Sequence, residues 1–162
     1  MAHARRAEHF EMEEDRKYFY GIRSIYKMVA ALLAGTGIRI SELLSLEIGK
    51  HISADCAVIT IRQQRGKWGG IESTPKSEAG FRDIDLCPQL AKMLRGYIGD
   101  RKSGFLFETE TGEMLSPANL WRDGFAVIVR GMGREGVRFH AFRRFREAVL
   151  QASECRELLI DY

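Results

Sequence analysis

Phe139-His140-Ala141-Phe142-Arg143-Arg144-Phe145-Arg146 sets a histidine and an arginine three positions apart. On a helix they share a face. Apolar residues interleave at Phe139, Phe142, Phe145 and Val149. The spacing predicts a helix from about His140 to Ser153, with an aromatic side turned to a core and a His/Arg side presented. Such a face can grip a phosphate. The plainer reading is a basic amphipathic helix whose charged side is simply solvated. The upstream sequence decides between the two.

The chain has 162 residues, enough for one domain with a real core. Its net charge is +3, from 25 basic and 22 acidic residues. That total says little about nucleic acid, since cationic strength depends on clustering. Arginines do cluster, at Arg62, Arg65 and Lys67 and again at Arg143, Arg144 and Arg146. The cysteines, Cys56, Cys87 and Cys155, are odd in number and lack CxxC spacing. We read them as reduced thiols, with no zinc site and no disulfide framework. The sequence shows neither a membrane-spanning apolar run nor a secretory leader, so a cytoplasmic protein is expected.

Residues 1–15 are polar, of mixed charge, and read as a lead-in or linker. From Ile22 the period is helical through Ile25, Tyr26, Val29, Leu32 and Leu33, and Gly35-Thr36-Gly37 stops it. A short helix is expected over Arg39–Leu46. Ala57–Ile61 is rich in β-branched residues and reads as a strand. Ile71–Pro75 and Phe81–Leu86 return as further strands across turns at 65–70 and 76–80, giving one small antiparallel sheet. Pro88 opens a helix through Leu90, Met93, Leu94 and Tyr97, and Gly99 closes it. Phe105-Leu106-Phe107 is a short extended piece. Ser116-Pro117 starts another helix, with Leu120, Phe125, Val127 and Ile128 directed inward.

The second informative stretch is Gly35-Thr36-Gly37-Ile38-Arg39-Ile40-Ser41-Glu42-Leu43-Leu44-Ser45-Leu46. Arg39 stands at a helix start, where backbone N–H groups and the positive dipole end favour an anion. The alternative is a surface arginine paired with Glu42 one turn on. Together, "TGIRISELLSL" and "HAFRR" resemble the two arginine boxes of the tyrosine recombinases, the phage integrase family. "TPKSEAGFRDIDL" resembles the segment in which that family carries a lysine on a β-hairpin. The likeness runs from about Ile22 to Tyr162, and three boxes in order make it specific.

The resemblance implies an α+β fold: a mostly helical single domain with a small antiparallel sheet, residues 16–162 forming part of the catalytic domain. It implies DNA integration or recombination, with a phosphodiester broken by a tyrosine hydroxyl to give a 3′-phosphotyrosine and no metal or other cofactor. Arg39 and Arg143 would clamp the non-bridging oxygens. Lys76 would protonate the leaving 5′-oxygen, with Lys67 as a rival, and His140 would move a proton or hold the phosphate. Arg65, Lys67 and Arg144 would contact DNA. Glu42 would orient Arg39. The implied partners are double-stranded DNA and further recombinase protomers. By the family's spacing, the next His/Trp box and the nucleophilic tyrosine fall beyond Tyr162, and the N-terminal DNA-clamping domain has no counterpart. The chain is therefore expected to be a fragment that binds DNA without cutting it. A non-catalytic DNA-binding remnant of the same fold, and an interaction domain with ordinary ion pairs, are the alternatives.

Overall fold

The helix carrying Met28, Val29, Leu32 and Leu33 is the element on which the others pack. A computed structural model describes residues 13–72, 81–131 and 136–152. Its elements are α1 (Glu13–Thr36), α2 (Ile40–Leu44), β1 (Val58–Ile61), β2 (Gln64–Arg65), β3 (Ile71–Glu72) and β4 (Arg82–Asp85). There follow α3 (Pro88–Ile98), α4 (Pro117–Leu120), a π-helical turn (Trp121–Phe125), α5 (Ala126–Gly131) and α6 (His140–Ala152). This is the expected mostly helical α+β class, with helices around short antiparallel ladders.

α1 ends as its sequence dictates. Gly37 adopts φ +71°, and its N–H donates to the Leu33 carbonyl at 3.0 Å, the left-handed cap that glycine forms without steric cost. The buried Thr36 hydroxyl donates to the Leu32 carbonyl at 2.6 Å and accepts the Ile38 N–H at 3.2 Å, so the turn leaves no polar group stranded there. Arg39 then takes extended backbone (φ −72°, ψ 145°) and starts α2, shorter at both ends than expected.

The single expected sheet is two ladders. β1 pairs with β4 in the register Ile59↔Ile84, and β2 pairs with β3 through Gln64↔Glu72. The break on the outgoing strand lies at Arg62-Gln63. The Gln63 carbonyl accepts from Ser45 Oγ at 3.1 Å, and its side-chain amide donates to the Ser45 carbonyl at 2.6 Å. Gln63 thus bonds to the end of α2 rather than to a strand. Ile59, Ile61, Ile84 and Leu86 face the core, in the alternation expected of a half-buried sheet.

α3 starts at Pro88 and closes on Gly99 (φ +58°) as expected, but its inward residues are Leu90, Leu94 and Ile98. Met93, on the same helix, is exposed. Phe105–Phe107 is tied to the chain after α2, with Leu106 donating to the Leu46 carbonyl at 2.8 Å and Ile48 to Gly104 at 2.9 Å.

The helix expected after Ser116 is interrupted by the π turn, and Val127, expected inward, is exposed. The turn brings Trp121 and Phe125 together with Phe139 and Phe142. Phe125 meets Phe139 at 5.1 Å, Phe142 at 5.8 Å and Tyr26 at 5.4 Å between ring centroids, all edge-on. This cluster fastens α6 to α1. Phe145 and Val149 do not join it. Phe142, Arg146 and Leu150 follow the helical period along the inward side, and that period carries Phe145 round to solvent, where it is 58% exposed.

Gly124 is buried in the π turn, and a β-carbon there would overlap the Tyr26 ring. Gly124→Ala is expected to cost about 1–3 kcal/mol through overpacking, read as a lower Tm in thermal unfolding.

Candidate functional site

The turn that ends α1 and the start of α2 build the centre of the site. Arg39 carries its side chain half out to solvent, 51% exposed, while the neighbouring Glu42 side chain is 5% exposed. Glu42 reaches back over the helix start. Its Oε2 accepts the Arg39 N–H at 3.0 Å and its Oε1 accepts Arg39 Nη1 at 3.0 Å. One of the backbone N–H groups at this helix start, that of Arg39, is therefore taken by Glu42. The Arg39 guanidinium faces solvent beside it.

A second arginine closes on the same carboxylate. Arg82 of β4 donates through Nη1 to Glu42 Oε1 at 3.2 Å and through Nη2 to Oε2 at 2.9 Å. This is a two-pronged, mostly buried pair across 40 residues of sequence. Burial pushes the Glu42 carboxyl pKa up. The hydrogen bonds from Arg82 and from the Arg39 amide and guanidinium outweigh it and hold the group below the ordinary 4.5.

α6 delivers the third arginine. Arg143 is 13% exposed in its side chain, and its Nη1 donates to the Gly37 carbonyl at 3.4 Å, two residues before Arg39. Its Nε pairs with Glu147 Oε1 at 3.3 Å on the same helix. The fork is held between its own helix and the turn after α1. Two stretches a hundred residues apart in sequence thus meet at one loop. His140 stands exposed at the start of α6, and Arg144 is exposed farther along it.

Arg65 ends β2, and Lys67 lies on the β2–β3 connection. The Gly69 N–H donates to the Gly66 carbonyl at 3.1 Å, and Gly66 N–H to Gly70 at 2.7 Å, so Lys67 and Trp68 occupy the corner of a tight turn. Gly69 has φ +96°, and a β-carbon there would come within 3.2 Å of Arg65 Nη2. Trp68 is 91% exposed, and Lys67 Nζ lies 5.1 Å from its ring centroid. Arg62, the third member of that cluster in sequence, pairs instead with Asp83 at 3.1 Å. Lys76 and Tyr162 lie outside the described residues.

The sequence singles out Arg39, Glu42 and Arg143, which the structure places around one turn, but not Arg82. A signal existed. Arg82 has the same parity on its strand as Ile84 and Leu86, which face the core, and a charge on a buried face needs a partner inside. Trp68, a lone aromatic in a glycine-rich turn, carries no periodicity that would single it out. Among the described residues, no three His, Cys, Asp or Glu side chains are grouped so as to hold a metal ion. No described helix is long and apolar enough to cross a membrane.

A model described as the phage integrase family matches residues 17–153. A "tyrosine recombinase XerC-like" protein of Caldanaerobacter subterraneus subsp. tengcongensis is 27% identical, over 84% of this chain and 41% of its own length. The integrase of Mycobacterium phage L5 is 29% identical, over 73% of this chain and 34% of its own length. The chain thus spans less than half of either curated relative. Among solved structures, the Tn1549 transposon integrase in complex with circular intermediate DNA superposes with TM-score 0.65 at 22% identity, covering 86% of this chain and 53% of that one. The XerA recombinase superposes with TM-score 0.59 at 19% identity, covering 88% of this chain and 50% of that one.

The Glu42 carboxyl has a lower pKa folded than unfolded, so its pairing contributes fully above 4.5 and is lost as pH falls through the folded value. Glu42→Gln is expected to lose less stability than the parent chain over that acid range in urea titrations. At neutral pH, Glu42→Ala should cost about 3–5 kcal/mol, because it removes the carboxylate that the mostly buried Arg82 guanidinium pairs with.

Proposed function

This chain belongs to the phage integrase family of DNA-breaking and -rejoining tyrosine recombinases, and from that premise we propose that it is the phosphate-holding part of a site-specific recombinase acting through a 3′-phosphotyrosine. The observation that carries the proposal is the bond from Arg143 to the Gly37 carbonyl. It brings the second arginine box to the loop from which Arg39 emerges. Two guanidinium forks near one loop suit the non-bridging oxygens of a scissile phosphate, where charge builds as the tyrosine attacks. Each preorganised donor of this kind is worth on the order of 10²–10³ in rate.

The remaining roles follow from the resemblance. Lys76 would give its proton to the departing 5′-oxygen, and His140, exposed at the head of α6, would exchange a proton with the nucleophile or hold the phosphate. Arg65, Lys67 and Arg144, on the hairpin tip and the outer side of α6, would follow the DNA backbone on either side. Duplex DNA is the proposed partner, with further protomers assembling on it. The nucleophilic tyrosine, by the family's spacing, is not among these 162 residues. The chain by itself would then hold DNA without forming a covalent link.

Binding to duplex DNA should be weak, and the logarithm of its binding constant should fall linearly with log salt. Arg39→Ala and Arg143→Ala should each reduce that slope by about 1. On a nicked site that traps cleaved product, no protein–DNA adduct is expected. An adduct at Tyr162 would overturn the assignment of the nucleophile, and salt-independent or absent binding would overturn the DNA-holding role itself.

A further inference from the structure

We propose that Arg82 is a positioning residue that keeps Arg39 available to a phosphate by occupying the carboxylate of Glu42. The inference rests on the reading of Arg39 as a phosphate ligand and names a dependence within that site. Glu42 is buried and carries one negative charge between two arginines. Arg82 takes both carboxylate oxygens with both terminal nitrogens, at 3.2 and 2.9 Å. Arg39 meets the same carboxylate through Nη1 at 3.0 Å, with half of its side chain in solvent.

The charge count gives the consequence. With Arg82 in place the trio is net positive, and the exposed member, Arg39, presents the surplus. Without Arg82, Arg39 and Glu42 would form a neutral pair, and a buried carboxylate left with one cation would hold it closely. A phosphate would then have to displace Glu42 from Arg39. The strand that returns to the core with Ile84 and Leu86 carries Arg82 on the same parity, so folding of β4 is what arms Arg39.

The test is duplex binding against salt, using the whole chain and a short mixed-sequence duplex, with circular dichroism as the check on folding. Arg82→Met is expected to weaken binding on the order of tenfold and to lower the salt slope by about 1, as Arg39→Ala does. Adding Glu42→Gln to Arg82→Met should restore both, because the competing charge is gone while the amide oxygen can still accept the Arg39 N–H. Arg95→Met makes the same charge change on the exposed face of α3 and should leave the slope nearly unchanged, which separates this effect from a general loss of charge.

Should Arg82→Met not fold, Arg82→Lys decides. It keeps the charge without the fork and should bind several-fold more weakly than the parent. Parental binding in a folded Arg82→Met or Arg82→Lys, or no recovery in the double variant, would overturn the inference. If Arg39→Ala itself leaves binding unchanged, the reading of Arg39 fails first, and the two failures remain distinct.

Discussion

A buried carboxylate must be paired, and Glu42 is where this fold meets that demand. It lies at the start of α2, caps the helix through the Arg39 N–H, and draws in Arg39 from its own helix and Arg82 from β4. Local capping, sheet placement and the stance of Arg39 are therefore one arrangement. A buried ion pair of this kind adds little stability over well-packed apolar residues. Its value here is geometric, because it fixes an arginine that would otherwise sample many rotamers.

The second half of the site depends on a different force. α6 is held to α1 by edge-on aromatic contacts among Tyr26, Phe125, Phe139 and Phe142. Once that packing sets the rotation of α6, Arg143 falls on the side facing the turn after α1, and the Gly37 carbonyl accepts from it. The left-handed conformation of Gly37 belongs to the same arrangement, since it both ends α1 and leads the chain into Arg39. Hydrophobic packing brings the boxes together, and hydrogen bonds set their final aim.

Much of this was legible in the sequence where residues act locally. The Gly-Thr-Gly stop, the Pro88 start and Gly99 end of α3, and the alternation of Ile59, Ile61 and Ile84 all follow from short-range rules. The family boxes pointed to Arg39 and Arg143. What sequence reasoning missed was set by distant contacts. Gln63 bonds to Ser45 and splits the sheet, and the π turn at Trp121–Phe125 shifts the helical phase so that Val127 faces out. The aromatic character of Phe145 points to the core, but the helical period sets the inward direction of α6 and turns Phe145 out. Arg146, placed by the helical period on the inward side, shows that the period counted for more.

The central claim is that Arg39 and Arg143 grip one phosphate together. A double-mutant cycle tests it most directly, with Arg39→Ala, Arg143→Ala and the pair measured for duplex affinity at one salt concentration. Two forks on one phosphate predict clear non-additivity, a coupling of roughly 0.5–3 kcal/mol. Strictly additive losses would mean that the two arginines meet different parts of the DNA, and would contradict the account.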